Sequence, residues 1–210
     1  MKIHPDIEQG TDEWRMIRAG KPTASEFSKI ITSDGTRSKS FAGYARTLAG
    51  EAYAGKPLES WEGNSWSERG KALEDDARQF YAFARNVEPV RVGFVTDDAE
   101  TYGCSPDSLV GEEGMLEIKV LKPERHIEAI QYWQKHGKCP TDYVQQTQGQ
   151  MLVCERQWAD LFFYHPELPP LIIRQHPLIV VQRALRAEIP ALIQERDTIL
   201  ASLRRHAEAT

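Results

Sequence analysis

The chain has 210 residues, a formal net charge of −5, and hydrophobic and aromatic fractions of 40% and 9%. These values predict a single globular domain over residues 1–210 and exclude a disordered protein. The acidic balance argues against a generic basic DNA-binding module. No apolar stretch approaches the length of a membrane span, and Met1–Gly10 lacks the basic and apolar regions of a signal peptide.

The cysteines give no sign of a metal cluster or a disulfide framework. Cys104, Cys139 and Cys154 are scattered and form no C-x-x-C pair. A zinc ribbon, an iron–sulfur cluster and a set of structural disulfides are therefore not expected. The expected compartment is a reducing cytoplasm.

Positive charge is concentrated near the start of the chain. Between Arg15 and Arg46 the acidic residues are only Glu26 and Asp34, and the basic ones are Arg18, Lys21, Lys29, Arg37 and Lys39. Such a segment can hold a nucleic-acid backbone while the acidic remainder keeps the protein soluble. A solvated basic face without a partner is the equally weighted alternative.

The first predicted element starts at Thr23-Ala24-Ser25-Glu26, which has the form of a capping box. We expect the Thr23 side chain to accept from the backbone N–H three residues on, and Glu26 to reach back. A helix start also offers free N–H groups and a positive dipole end to a phosphate. With Arg18 upstream and Ser25 in the first turn, the segment suggests a phosphate pocket, although most capping boxes are purely structural. The polar, turn-rich segment Ser33–Ser40 is predicted to be a loop.

A helix is predicted from about Glu68 to Arg85, because its apolar residues recur at helical spacing. The predicted buried stripe consists of Leu73, Ala77, Phe80 and Ala84, and Glu74 and Tyr81 border it. An unpaired carboxylate at the edge of a buried face is costly. Glu74 is therefore expected either to pair with a cation or to help bind a metal, and an ordinary glutamate at the boundary of the buried face is the alternative that its position alone favours.

Val90–Val95 alternates like a strand, and a hairpin with two carboxylates and a lysine follows it. Gly111 and Gly114 mark the hairpin tip. Successive strand side chains point to opposite faces, so Glu117 and Lys119 project together while their apolar neighbours face the core. Folding of the hairpin brings Asp107, at the end of the preceding strand, back beside Glu117.

This grouping has the chemistry of a metal-dependent nuclease. Carboxylate oxygens suit Mg²⁺, which binds proteins through one or two carboxylates plus substrate phosphate. A metal lowers the pKa of its bound water, and Lys119 is placed to hold that water or to stabilise developing charge. A surface hairpin with a Glu and a Lys on its wet face is the alternative, because the E-x-K pattern is common.

The remaining elements alternate between helices and strands, which predicts an α/β class. Helices are predicted at Pro123–Lys135 and Tyr143–Val153, and Gln146 and Gln150 share one face of the second, with Gln148 set apart. Two strands are predicted at Ala159–Tyr164 and Leu171–Gln175. A long amphipathic helix from about Leu178 to Arg205 is expected to pack on the body and to be interrupted or bent near Pro190. Its predicted packing residues are Leu185, Ile189, Leu192, Ile193, Ile199 and Leu203.

Taken in order, several short blocks resemble the lambda-type (YqaJ-like) viral exonucleases, also called alkaline exonucleases, of the PD-(D/E)-x-K nuclease superfamily. The blocks span roughly Trp14 to Tyr164, and each is weak while the ordered set is specific. They are Trp14, Arg18-Ala19-Gly20, Thr23-Ala24-Ser25, Gly70-Lys71-Ala72-Leu73-Glu74, Ser105-Pro106-Asp107, Glu117-Ile118-Lys119 and Tyr143-Val144-Gln145-Gln146-Thr147-Gln148.

The resemblance implies a mixed β-sheet flanked by α-helices and a processive 5′-to-3′ exonuclease. Such an enzyme digests the 5′-phosphorylated strand of linear duplex DNA to mononucleotides and leaves 3′ tails. It implies a pair of Mg²⁺ ions per active site, for which Mn²⁺ can substitute. It also implies a homotrimeric ring around DNA, a single-strand annealing protein as recombination partner, and a phage or prophage protein in the bacterial cytoplasm.

The resemblance also assigns roles to individual residues. Asp107 and Glu117 bind metal with the Ile118 carbonyl as an extra ligand, and Lys119 acts on the nucleophilic water. Glu74 adds a further carboxylate, and Gln146 lies beside the reacting centre. The residues that hold the 5′-phosphate are Arg18, Ser25 and Ser105. Arg37, His126 and Gln148 are left without a role.

Two other classes remain open. An endonuclease of the same superfamily would cut closed circular DNA, which an end-dependent exonuclease cannot cut. A DNA-end-binding recombination scaffold without catalysis would bind ends tightly and show no Mg²⁺-dependent hydrolysis. The iron–sulfur nucleases that share this core are not expected, since the cluster cysteines are missing.

Overall fold

The structure is a computed structural model that describes residues 1–58 and 65–210, with the backbone alone for residues 65–72. In this part of the chain six α-helices are present: α1 (Asp12–Arg18), α2 (Phe41–Ala54), α3 (Ser65–Arg85), α4 (Pro123–His136), α5 (Val144–Val153) and α6 (Ile179–Glu208). Two 3₁₀ helices cover Ala24–Lys29 and Thr141–Tyr143. The strands are β1 (Lys2–His4), β2 (Pro89–Val90), β3 (Phe94–Thr96), β4 (Gly103–Cys104), β5 (Ser108–Val110), β6 (Gly114–Val120), β7 (Trp158–Tyr164) and β8 (Leu171–Gln175).

The strands form two sheets. The larger sheet has the order β2-β5-β6-β7-β8, and the smaller has the order β1-β3-β4. Only β6 and β7 of the larger sheet pair in parallel, and α4 and α5 lie in the chain between them. A parallel pair requires such a crossover. The predicted α/β class with a mixed sheet flanked by helices is therefore confirmed, whereas a single domain over residues 1–210 stays a prediction.

The predicted hairpin is confirmed as β5 and β6. Val110 pairs with Gly114 and Ser108 with Leu116, so the tip lies at the predicted glycines. Gly111 has a φ of +55°, a left-handed conformation that glycine adopts without a Cβ penalty. Asp107 is the residue immediately before β5.

The central strand β6 is covered on both faces. Leu116 and Ile118 pack with Ala77 and Tyr81 of α3. The opposite face, which carries Glu117, lies under α5, where every residue except Gln146 is buried. A polar pair on this strand is thus enclosed by a helix rather than exposed to bulk solvent.

The buried face of α3 differs from the predicted stripe. Ala77 and Tyr81 are completely buried, whereas Phe80 is 40% exposed and Ala84 is exposed. The difference has a tertiary cause, because the Tyr81 hydroxyl donates to the buried carboxylate of Asp160 on β7. That bond turns the tyrosine side of the helix toward the sheet.

The prediction of a single strand at Val90–Val95 is also wrong. The segment divides into β2 and β3, which belong to different sheets. Gly93 lies between them, and a Cβ at this position would overlap the carbonyl oxygen of Ile7. The close approach of these two backbone segments lets the chain pass from one sheet to the other.

The last helix is longer than predicted and is not interrupted at Pro190, which lies inside α6. The flanking residues Ile189 and Leu192 are buried against the body. Their packing offsets the hydrogen bond that proline cannot make. Leu203, predicted to pack, is 39% exposed. Within the described helices none is long and apolar enough to cross a membrane.

Candidate active site

Asp107 is fixed to the neighbouring strand by its own side chain. Its Oδ2 accepts a hydrogen bond of 2.5 Å from the backbone N–H of Ile118. Burial raises the pKa of Asp107 well above its usual value, and the charges of Glu117 and Glu74 raise it further. The predicted return of Asp107 to the side of Glu117 is thus observed, and the two carboxylates repel each other.

Glu117 is surrounded by hydrogen-bond donors. The residue is 4% exposed. Its Oε1 accepts from Lys119 at 2.8 Å and from Gln146 at 2.6 Å, and its Oε2 accepts from Gln150 at 2.6 Å. Hydrogen bonds to the charged form stabilise a buried carboxylate. The strand and α5 therefore hold Glu117 in one orientation.

Lys119 remains a cation in this setting. Burial lowers the pKa of Lys119, but the charge of Glu117, its hydrogen bond and the charge of Asp107 outweigh burial and raise it above the usual value. The ammonium also donates to Gln146 Oε1 at 3.1 Å. Gln146 thus binds Glu117 and Lys119 together.

A cleft of about 910 Å³ joins the carboxylates to the predicted phosphate residues. Glu74 and Asp107 line one part of the cleft, and Arg18 and Ser25 line another. Glu74 is close enough to Asp107 for its charge to raise the pKa of that carboxyl. Glu117 lies behind Asp107, beneath α5, and does not line the cleft itself.

Arg18 and Ser25 form a polar corner of this cleft. Arg18 Nη2 donates to the hydroxyls of Thr23 and Ser25, each at 3.2 Å. Its guanidinium stacks 4.0 Å above the ring of Trp14. Burial lowers the pKa of the Arg18 guanidinium below its usual value. A half-buried guanidinium that is already oriented is a good partner for a phosphate.

Trp14 connects this corner to Ser105. Its Nε1 donates to Ser105 Oγ at 2.8 Å, while its ring supports Arg18. Arg18 and Ser105 therefore both contact this indole, and Ser25 joins them through Arg18. The sequence marks Trp14 only as part of the family signature, and the structure adds these two contacts.

The capping box predicted at Thr23 is wrong. The segment Ala24–Lys29 is a 3₁₀ helix, and the Thr23 side chain makes no capping hydrogen bond. Thr23 Oγ1 instead accepts from Arg18, and Glu26 forms an ion pair with Lys29 at 2.6 Å. The short helix offers no dipole site, so a phosphate would be held here by side chains.

The three residues left without a role have structural contacts. Arg37 pairs with Glu188 of α6 at 2.7 Å. His126 is buried, and its Nε2 lies 2.9 Å from the carbonyl of Pro169. Gln148 accepts from the Leu178 N–H at 2.8 Å and so joins α5 to the start of α6.

Sequence reasoning missed two further side chains around the carboxylates. Gln150 donates to Glu117, and its spacing of four residues from Gln146 was the available signal. Arg78 lies one turn after Glu74, and its Nε donates to Ser108 Oγ at 2.9 Å while Nη2 reaches the Asp107 carbonyl at 3.4 Å.

The donor set fits a divalent cation that is completed by substrate. Within residues 1–58 and 65–210, no group of three His, Cys, Asp or Glu residues could hold a metal by itself. Asp107 and Glu117 nevertheless supply hard oxygen atoms, and their repulsion would be relieved by a cation. Mg²⁺ commonly binds through two carboxylates, waters and substrate phosphate.

The comparisons with known proteins concern the family and the fold of the chain. The YqaJ-like viral recombinase domain matches residues 13–157, although the side chains of its block Gly70–Ala72 lie outside the described residues. No curated protein matched the sequence.

Among solved structures, the fold is similar to an alkaline exonuclease (LHK-Exo) from Laribacter hongkongensis, with a TM-score of 0.82 and 30% identity over 95% of this chain and 99% of that one. The same exonuclease in complex with dAMP gives a TM-score of 0.81 at 30% identity, with the same coverage of both chains. A phage-related exonuclease from Haemophilus somnus 129PT shares the fold, with a TM-score of 0.68 at 16% identity over 87% of this chain and 96% of that one.

These likenesses confirm the PD-(D/E)-x-K type of fold. The domain match covers well over half of the sequence and includes every proposed site residue. The chain therefore belongs to the YqaJ-like viral recombinase family.

Proposed function

We propose that this chain, a nuclease by its family, is a Mg²⁺-dependent, processive 5′-to-3′ exonuclease. It digests the 5′-phosphorylated strand of linear duplex DNA to mononucleotides and leaves 3′ single-stranded tails for annealing. The observation that carries the proposal is one cleft lined both by Arg18 and Ser25 and by Asp107 and Glu74. One end of a DNA strand can thus be bound beside the carboxylates.

The polar corner formed by Arg18 and Ser25, called the phosphate corner from here on, accounts for the proposed preference for a 5′-phosphate. A terminal phosphate carries more negative charge than a bridging one and presents more acceptor oxygens. Arg18 is stacked on Trp14 and directed at Ser25, so its donors are already oriented. An end that lacks the phosphate would leave this half-buried cation without that anionic partner, which costs binding energy.

The metal site consists of Asp107, Glu117 and the Ile118 carbonyl. In an extended strand the N–H and C=O of one residue point to the same side. The Ile118 N–H points to Asp107, and the β5 pairing ends at Ser108 and Leu116. The Ile118 carbonyl is therefore directed to the same side, beyond the end of β5. Bound Mg²⁺ would supply a more acidic water and charge stabilisation for the phosphate.

Lys119 and Gln146 are placed to orient the groups that react. Because the pKa of Lys119 is raised, its ammonium donates to the attacking water or to the phosphate oxygen that gains charge. Gln146 holds Lys119 through Oε1 and Glu117 through Nε2. Fixed donors of this kind stabilise a transition state without reorganisation.

The proposed mononucleotide product is supported by the short segment that joins the two parts of the site. Ser105 belongs to the phosphate corner through Trp14, and Asp107 is only two residues further on. A strand held by its 5′-phosphate at this corner presents its first phosphodiester to Asp107, which gives mononucleotides. The complex of the related alkaline exonuclease with dAMP supports a mononucleotide product.

The homotrimeric ring, the processivity, the single-strand annealing partner and the cytoplasmic setting of a phage-infected bacterium are proposed from the family alone. A closed ring would keep the enzyme on DNA between cuts, which links the first two properties.

A digestion of two DNA forms in parallel tests the proposal. Linear 5′-phosphorylated duplex and closed circular duplex are incubated with the chain in Mg²⁺, and again with EDTA. We expect Mg²⁺-dependent loss of one strand from the linear DNA and no change in the circle. Cutting of the circle would identify an endonuclease, and tight end binding without hydrolysis would identify a non-catalytic scaffold.

A further inference from the structure

We propose that Gln9 is a positioning residue that sets the spacing between the 5′-phosphate corner and the metal-binding carboxylate. Through that spacing it supports the rate of cleavage at 5′-phosphorylated ends. The inference rests on the proposed function, and it adds a residue upstream of every block of the sequence signature.

A single amide makes both of the contacts on which this inference depends. Gln9 Nε2 donates to the carbonyl of Val92 at 2.9 Å and to the carbonyl of Pro106 at 3.0 Å. Gln9 is half-buried and lines the cleft together with Asp107. Both amide hydrogens are used, so the side chain ties the Ser105–Ser108 segment to the chain that leads into β3.

The Ser105–Ser108 segment needs such a tie because strand pairing does not hold its centre. Strand β4 ends at Cys104 and β5 begins at Ser108. Proline has no N–H, so its carbonyl is the only backbone group through which Pro106 can be held. Gln9 binds that carbonyl.

Other side chains fix the two ends of the same segment. At the start, Trp14 donates to Ser105 Oγ. At the end, Arg78 contacts the Ser108 hydroxyl and the Asp107 carbonyl. Without Gln9 these ends remain attached, while the turn between them loses its central tie. Ser105 of the phosphate corner and Asp107 are then joined by a turn that is held only at its two ends.

A turn held only at its ends has a consequence that general loosening of the fold does not have. A strand whose 5′-phosphate stays at Arg18 would meet Asp107 at a slightly altered spacing, whereas an end without that phosphate is not held at the corner. Misplacement of a reacting group by about 1 Å can cost up to about 100-fold in rate. The rate of mononucleotide release from phosphorylated ends therefore falls.

The test compares wild type, Gln9→Ala and Gln9→Glu, with Gln131→Ala as the control. Gln9→Glu keeps the side-chain volume and replaces the donating amide by a carboxylate that repels both carbonyls. Gln131 is exposed on α4, away from the cleft. Each protein digests duplexes that carry either a 5′-phosphate or a 5′-hydroxyl, and the products are resolved by length.

We expect both Gln9 variants to lose about 10- to 100-fold on the 5′-phosphorylated end and much less on the hydroxyl end. Gln131→Ala should match wild type. An unchanged rate on the phosphorylated end, or an equal loss on both ends, would overturn the proposal. Loss of the folded state in both Gln9 variants would also overturn it, because Gln9 would then be needed for folding.

The wild-type arm separates this inference from the proposed function. If wild type releases no mononucleotides from the phosphorylated end, the proposed function itself fails. If wild type does so and the Gln9 variants behave like it, only the role of Gln9 fails.

Discussion

Lys119 donates a hydrogen bond of 2.8 Å to Glu117, a carboxylate that is almost completely buried. The pair lies on β6 beneath α5, and both partners also bind Gln146. The ammonium is thus oriented before any substrate arrives, while Asp107 on the adjacent segment lines the cleft. Lys119 and Glu117 thus lie behind the residues that line the cleft.

The first prediction concerns Lys119. Lys119→Ala should keep its affinity for duplex DNA ends while turnover falls about 100-fold or more, since a preorganised donor is removed from the reacting centre. Binding by fluorescence anisotropy and single-turnover cleavage measure the two effects separately. Lys135→Ala, a change at an exposed lysine of α4, is the control. Near-normal cleavage by Lys119→Ala would rule out its assigned role.

The second prediction concerns Arg18. Arg18→Ala should lower cleavage of 5′-phosphorylated ends by about tenfold or more and leave 5′-hydroxyl ends nearly unaffected, because a charge-assisted contact to the phosphate is lost. The ratio of the two rates is the measurement, and Arg204→Ala, at an exposed position of α6, is the control. Equal losses on both ends would indicate general backbone binding instead.

The third prediction concerns the metal. Saturating Mg²⁺ should raise the thermal midpoint of wild type, since a ligand at 100 times its Kd adds about 2.7 kcal/mol. Asp107→Asn should abolish that rise, whereas Asp76→Asn, an exposed substitution on α3, should keep it. Thermal unfolding with EDTA and with Mg²⁺ gives the comparison. An Asp107→Asn protein that still responds fully would exclude Asp107 as a ligand.

The fourth prediction concerns Asp160, a buried carboxylate on β7. Asp160 accepts from Tyr81 at 2.8 Å and from Arg174 at 2.8 and 2.9 Å. Tyr81→Phe should lower the free energy of unfolding by about 1.5–3 kcal/mol, the range for a hydrogen bond to a charged group. Urea denaturation measures it against Tyr53→Phe, a change at an exposed tyrosine. An unchanged midpoint for Tyr81→Phe would contradict the account of how α3 is oriented.

The fifth prediction contrasts two glycines. A Cβ at Gly149 of α5 would overlap the ring of Phe27, whereas a Cβ at Gly43 of α2 would meet no atom within 4 Å. Gly149→Ala should destabilise by about 1–3 kcal/mol through overpacking. Gly43→Ala should stabilise by about 0.5–1 kcal/mol, since glycine is unfavourable inside a helix. Effects of the same sign in urea denaturation would refute this packing of α5.

The parts of the site that could be predicted from the sequence are local in the chain. The hairpin, with Glu117 and Lys119 on one face, follows from strand alternation and two glycines. Gln146 and Gln150 lie one helical turn apart on the same face, and the family resemblance assigns a role to Gln146 alone. These features depend on neighbours a few residues away, and such neighbours can be read from a sequence.

The errors have tertiary causes. Alternation across Val90–Val95 could not reveal that the chain changes sheets where Gly93 meets Ile7. The helical stripe on α3 was misplaced because Asp160, far along the chain, attracts Tyr81. Thr23 fits a capping pattern, yet its hydroxyl is taken by Arg18.

Gln9 shows the same limit. Its target, the Pro106 carbonyl, lies 97 residues away in the chain. No local pattern marks the pairing, so its part in positioning emerges only from the folded structure.

The most direct test of the central claim uses a linear duplex with a 5′-phosphate on one strand only and a different label on each strand. In Mg²⁺, we predict that the phosphorylated strand is lost to mononucleotides while its complement stays full length. Loss of the unphosphorylated strand first, or equal loss of both strands, would contradict a 5′-phosphate-directed exonuclease.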